Sequence, residues 1–251
     1  MAKYLIIANW KQNGSKKVLE NLTKSFLKSS KIKNSVILLP PSIYLSSISS
    51  VIGKNKKISV GIQNISSYKD GAFTGEISAS MIKDFGVRYV LIGHSERRHI
   101  FQESNNEISN KVILSIENKF YTILCVGETL LERNKKITKK VIANQLKTAL
   151  FKSRQLIKQN SSKLIIAYEP VWAIGSGKTA QIEDIKDVHA YIRLSLSRII
   201  GPEHKSIKIL YGGSVNDENA STILSLDDVD GALVGGASLN SKKFIEICST
   251  I

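Results

Sequence analysis

The feature of this chain that most limits its fold is an alternation of short apolar runs with amphipathic stretches, maintained from one end to the other. The runs lie near 4–9, 36–39, 58–63, 88–92, 120–126, 163–168, 206–211 and 231–234. They are rich in Ile, Val and Leu on both alternating faces, as a strand covered on both sides requires. The stretches between them repeat at helical spacing instead, as in Ile182, Ile185, Val188, Ile192, Leu196, Ile199 and, earlier, Val18, Leu22, Phe26. Gly201-Pro202 is placed to stop a helix over 181–200. Strand and helix in strict alternation define an α/β protein with a parallel sheet, and eight such units close most economically as a single (β/α)8 barrel. No linker, low-complexity segment or sequence repeat divides residues 1–251, so one catalytic-sized domain is expected.

In such a barrel chemistry gathers at the carboxyl ends of the strands, and the polar residues of this chain gather there too. The first run ends in Asn9-Trp10-Lys11, the third in Gln63-Asn64, the fourth in Gly93-His94-Ser95-Glu96-Arg97-Arg98 and the fifth in Cys125-Val126-Gly127-Glu128. The sixth delivers Glu169 into Pro170-Val171-Trp172-Ala173-Ile174-Gly175-Ser176-Gly177, the seventh ends in Tyr211-Gly212-Gly213-Ser214-Val215, and the eighth in Gly235-Gly236. Pro170 cannot continue a central strand and pins the start of a loop, while Gly175 and Gly177 permit left-handed backbone at its tip. Taken singly, each residue has an ordinary reading as a surface lysine, a hydrogen-bonded histidine or a turn. Their joint placement is what points to a site.

Several function classes fall away. The formal charge of +15 comes from 29 Lys and 7 Arg, which invites a nucleic-acid partner. The lysines are spread over most helical stretches, however, without interleaved aromatics or any known nucleic-acid-binding pattern, so a solvated surface is the expected reading. Cys125 and Cys248 have neither disulfide nor metal spacing; Cys248 continues a final-helix stripe of Phe244, Ile247 and Ile251. Gly177-Lys178-Thr179 ends like a phosphate-binding P-loop, but Trp172 occupies the position of its first glycine. His94 and His99 lie five apart, off one metal-binding face. No apolar stretch reaches membrane-spanning length and no export signal precedes the first run, which makes a reducing cytoplasm the expected compartment.

In this order and at these strand ends, the residues resemble the triosephosphate isomerase family along essentially the whole chain, most specifically through Glu169-Pro170-Val171-Trp172-Ala173-Ile174-Gly175. The resemblance implies a cofactor-free, metal-free isomerase of triose phosphates, working in glycolysis and gluconeogenesis. It assigns Glu169 as base and His94 as electrophile, the latter expected to stay neutral because it opens a helical turn. Lys11 supplies positive charge, Asn9 orients the electrophilic side, and Glu96 pairs with Lys11. The backbone N–H groups of Gly175, Ser214, Gly235 and Gly236 are expected to hold phosphate, with Tyr211 and Ser214 fastening a closing lid. The Trp172 indole is expected to exchange partners, with Glu128 its acceptor when the lid is open, and exclusion of water by the lid is expected to raise the basicity of Glu169. A homodimer is also implied, with Gln12 and Asn13 meeting the loop of a second copy that contains Thr74 and Gly75. The chain departs from the family pattern at Gln12, where an apolar residue is usual, and at Ser176, where threonine is. Two other readings, a basic nucleic-acid-binding or otherwise non-catalytic barrel and a different phosphosugar enzyme, are disfavoured by the joint presence of Asn9, Lys11, His94 and Glu169 and by the segment after Glu169.

Overall fold

Each apolar run forms a strand: β1 (Leu5–Asn9), β2 (Ser35–Leu39), β3 (Ile58–Ile62), β4 (Tyr89–Ile92), β5 (Tyr121–Val126), β6 (Leu164–Tyr168), β7 (Lys208–Tyr211) and β8 (Gly231–Val234). The computed structural model describes residues 3–175 and 179–250, so Ser176, Gly177 and Lys178 of the expected lid, and Ile251 of the final stripe, lie outside the described residues. All neighbouring pairs are parallel, and β8 returns to β1 to close the barrel.

The alternation within each strand separates two cores. Leu5, Ile7, Ile37, Leu39, Leu91, Ile123, Cys125, Ile165, Ala167, Leu210 and Leu233 fill the barrel interior. Their neighbours Ile6, Ala8, Val36, Leu38, Ile166 and Tyr168 face the surrounding helices with Leu19, Leu146, Ile192 and Leu196. Burying one such aliphatic side chain contributes about 1.5–3 kcal/mol, so the two layers fix the register of every strand. The same period of two carries upward past the interior. Asn9 follows Leu5 and Ile7, and Glu169 follows Ile165 and Ala167, so both continue the inward-facing set into the barrel mouth.

The helix Ile182–Ile200 begins with Glu183 and Asp184 in its first turn and ends with Arg198 in its last, matching the helix dipole. It stops where Gly201 adopts φ 91° and Pro202 follows. In the first helix, Lys16–Lys28, the buried stripe is Leu19, Leu22, Thr23 and Phe26, whereas Val18 is 57% exposed. The expected stripe was therefore one residue out of phase at its start. Between β3 and β4 the connection holds a short 3-10 helix, Met81–Phe85, among a run of turns. Among the described residues no helix is long and apolar enough to cross a membrane.

Candidate active site

A cavity of about 480 Å³ opens at the carboxyl ends of the strands and is lined by Asn9, Lys11, His94, Glu169, Gly175, Ser214, Gly235 and Gly236. Every residue expected to touch substrate therefore meets in one place. Glu96, Tyr211, Trp172 and Glu128 are not among its lining residues.

Lys11 sits in left-handed backbone at φ 50°, a conformation disfavoured for a non-glycine residue and characteristic of functional positions. Two polar contacts hold its backbone, and a third anchors one of the partners. Asn9 Oδ1 accepts from the Lys11 backbone N–H at 3.1 Å, and Gln63 Nε2 donates to the Lys11 carbonyl at 2.9 Å and to the Leu39 carbonyl at 2.8 Å. The Lys11 Nζ then reaches Glu96 Oε1 at 2.6 Å, while its side chain runs past Gly235, whose first side-chain carbon would lie 3.6 Å from Lys11 Cε. The cation is thus delivered beside the glycine loop after β8.

The buried Glu169 carboxylate is engaged on both oxygens. Oε2 accepts from the Ser95 backbone N–H at 2.9 Å, and Oε1 faces His94 Nε2 at 3.0 Å. Gly212 leaves this carboxylate room, since a side chain there would begin 3.0 Å from Glu169 Cγ. Burial alone would raise the Glu169 pKa, but His94, the Ser95 N–H and Lys11 together hold it below the usual carboxylate value. The desolvation expected to make Glu169 more basic is present, but in this arrangement the pairing with His94 and the Ser95 N–H outweighs it. While the carboxylate keeps Ser95 and His94 as partners, its basicity is restrained.

His94 departs from expectation in the same way. Burial lowers its pKa, but the charge and hydrogen bond of Glu169, with a smaller contribution from Glu96, carry it above the ordinary histidine value. The helical turn has the geometry expected of it: the Glu96 backbone N–H donates to His94 Nδ1 at 3.2 Å, leaving Nε2 to carry the proton of the neutral ring. What outweighs burial is the Glu169 carboxylate at 3.0 Å. The linkage runs in two directions. His94, raised from 6.5, contributes stability that is fully present below that pH and fades as pH climbs through its folded value. Glu169, lowered from 4.5, contributes stability present above that pH and lost as pH falls through its folded value. Nitrogen chemical shifts across pH should therefore show His94 charging above pH 6.5 in the free protein, and its midpoint falling when a phosphate-bearing analogue draws Glu169 away. A free-protein midpoint below that of a solvated histidine would contradict the pairing.

Behind the loop after β6, the buried Glu128 carboxylate accepts from Trp172 Nε1 at 2.9 Å and from the Tyr168 hydroxyl at 3.2 Å. Burial raises its pKa against these donors. The Arg133 guanidinium covers the Trp172 ring at 4.5 Å and bonds Asp184 at 2.6 Å. Tyr211 is buried under Gly213 with its pKa pushed up to about 12. Its hydroxyl makes no well-formed hydrogen bond among the described residues, although the Ala180 backbone is close enough to temper that rise. Ser214 is fixed through its carbonyl, which accepts from Asn219 Nδ2 at 3.0 Å.

Sequence reasoning passed over Ser95 as the donor to Glu169, Gly127 as the close neighbour of the Glu169 backbone, and Asn240 and Lys243, which also line the cavity. Ser95 had a signal, being the first residue of a turn whose N–H groups lack helical partners. Lys243 had none, since it belongs to the last helix and not to a strand end. Among the described residues no group of His, Cys, Asp and Glu is arranged to hold a metal ion.

The family model for triosephosphate isomerase matches residues 4–251. This chain belongs to the triosephosphate isomerase family. Curated triosephosphate isomerases from Shewanella sp. (strain W3-18-1) and Shewanella baltica (strain OS155 / ATCC BAA-1091) are each 42% identical to it over 254 residues, covering 98% of this chain and 96% of theirs. The relative from Shewanella putrefaciens (strain CN-32 / ATCC BAA-453) matches to the same extent. The match to triosephosphate isomerase spans every strand end that lines the cavity, from Asn9 to Gly236.

Proposed function

We propose that this isomerase interconverts dihydroxyacetone phosphate and D-glyceraldehyde 3-phosphate by moving one proton between neighbouring carbons. The observation that carries the reading is the buried Glu169 carboxylate set 3.0 Å from His94 Nε2 in a cavity whose far loops are glycines. A substrate entering between the two groups separates them. Glu169, released from Ser95 and His94, loses the contacts that depress its pKa and takes the proton from the carbon beside the carbonyl. His94 Nε2–H donates to the oxygen on which charge develops, while Lys11 and Asn9 face the same enediolate. Glu169 returns the proton to the adjacent carbon, so the step needs no oxidant or reductant. The N–H groups of Gly175, Ser214, Gly235 and Gly236 take the phosphate dianion, and movement of the loop after Pro170 excludes water from the intermediate. Trp172 leaves Glu128, and the Tyr211 and Ser214 hydroxyls take up the loop backbone. A coupled assay with purified protein and D-glyceraldehyde 3-phosphate tests the reading. A folded protein that fails to convert it would overturn it. A nucleic-acid module on this scaffold finds no support in the family match.

The reading extends to context. Residues 1–251 act as one catalytic domain, without cofactor or metal, in the cytoplasm, in glycolysis and gluconeogenesis. We further propose a homodimer. Beside Lys11 a second cavity of about 750 Å³ is lined by Gln12, Asn13, Glu96 and Arg97 and rimmed by the exposed Ile100 and Phe101. Such an apolar rim supports burial against a second copy, with the loop containing Thr74 and Gly75 as the inserted element. Replacing Thr74 with Arg should give a monomer by analytical ultracentrifugation and lower turnover at least about tenfold, because Lys11 stands at this edge. A wild-type protein that is monomeric at assay concentration with full activity would end the proposal.

A further inference from the structure

The cavity contains a second cation that the chemistry above leaves unused. Lys243 lies in the first turn of the last helix, Ser241–Ser249, where its backbone N–H donates to the capping Asn240 side chain at 3.2 Å. Lys243 lines the same cavity as Gly175, Ser214, Gly235 and Gly236. The Nζ stands 3.8 Å from Asp217 Oδ1, in the segment after β7, and the side chain is 53% exposed. That separation exceeds the about 2.7–2.9 Å of a charge-assisted hydrogen bond. The pair is a loose, solvated contact of the kind that contributes little to stability. By contrast Lys11 is held at 2.6 Å by Glu96 and fixed by a constrained backbone. The two lysines therefore differ in kind: one is locked, the other is a flexible ammonium with three rotatable donors resting against a single carboxylate.

We propose that Lys243 is a phosphate-binding residue, which leaves Asp217 for the phosphate dianion of the substrate when that group settles on the glycine loops. This rests on the triose phosphate reading of the site. The dianion offers two charges where Asp217 offers one, and it arrives in a concave cavity whose walls focus the field of the lysine. Asp217 then acts as a holding group that competes with the substrate for the same cation.

The competition gives the test a signature that loss of helix packing would not produce. The readout is the ratio of kcat/KM for D-glyceraldehyde 3-phosphate to that for D-glyceraldehyde, which lacks the phosphate. Lys243→Ala should lower this ratio about fivefold and Lys243→Arg should restore most of it. Asp217→Asn should raise it about twofold when Lys243 is present and leave it unchanged in the Lys243→Ala background. An unchanged ratio in Lys243→Ala, or an Asp217→Asn effect of equal size in both backgrounds, would overturn the proposal in an active enzyme. Absence of isomerisation in the unmutated protein would instead remove the triose phosphate reading, and the role of Lys243 with it.

Discussion

Glu169→Gln is expected to cost about 10³-fold in turnover while the folded protein and its affinity for a phosphate-bearing analogue persist. Glutamine has nearly the same shape, and its carbonyl oxygen can still accept the Ser95 N–H that Glu169 Oε2 accepts at 2.9 Å. It cannot accept a proton from carbon. The substitution also removes the negative charge that lifts the His94 pKa, so burial, already the largest single influence on that ring, loses its main opponent and the midpoint should drop below 6.5. Two measurements on one variant thus report separate things: steady-state turnover reads the base, and the nitrogen shifts of His94 read the pair. Near-normal turnover in a folded Glu169→Gln protein would remove Glu169 as the base. An unmoved His94 would show that its elevation has another source.

The second large effect is structural. At Gly127 a side chain would place its first carbon 1.8 Å from the Glu169 carbonyl oxygen and 2.6 Å from the Glu169 carbonyl carbon. These are backbone atoms and cannot rotate aside. The Gly127 segment cannot retreat either, because Gln145 clasps it with Oε1 accepting from the Gly127 N–H at 2.9 Å and Nε2 donating to the Gly127 carbonyl at 3.0 Å. Gly127→Ala should therefore destabilise the protein by about 3 kcal/mol in urea unfolding, and lower turnover by more than about tenfold by pushing the Glu169 backbone off its position. A loss of less than about 0.5 kcal/mol with normal turnover would mean that the ends of β5 and β6 part more easily than this packing allows.

Much of the architecture was legible because a strand buried on both faces has little compositional freedom. Runs such as Leu164–Tyr168 can be neither helix faces nor surface strands. Within the site, Asn9 and Glu169 were readable for the related reason that they sit at the ends of such runs. The phase of the first helix was less so, since Val18 and Leu19 are both apolar and only packing decides which one faces the barrel. The charge state of His94 was not readable at all. Its neighbours in sequence include the turn that favours the neutral ring, whereas the carboxylate that overrides it comes from another strand. Gly127 was visible as a glycine but not as a constraint, because the atom that forbids a side chain there lies on the next strand. Lys243 illustrates the limit: a lysine on an exposed helix face differs from its many neighbours only by what the fold sets opposite it.

The pairing of Glu169 with His94 and of Lys11 with Glu96 has a consequence for affinity and speed. In this arrangement each charged group that the proposed isomerisation uses already has a companion, so a ligand that recruits one must loosen a resident contact. The free enzyme is in this sense its own competitive inhibitor. Ground-state attraction is partly cancelled, and the gain survives only where the reacting molecule binds these groups better than they bind one another, which is at the enediolate. Departure benefits equally, since the resident contacts re-form behind the product. A site with idle charges would hold its ligands more tightly and turn them over more slowly.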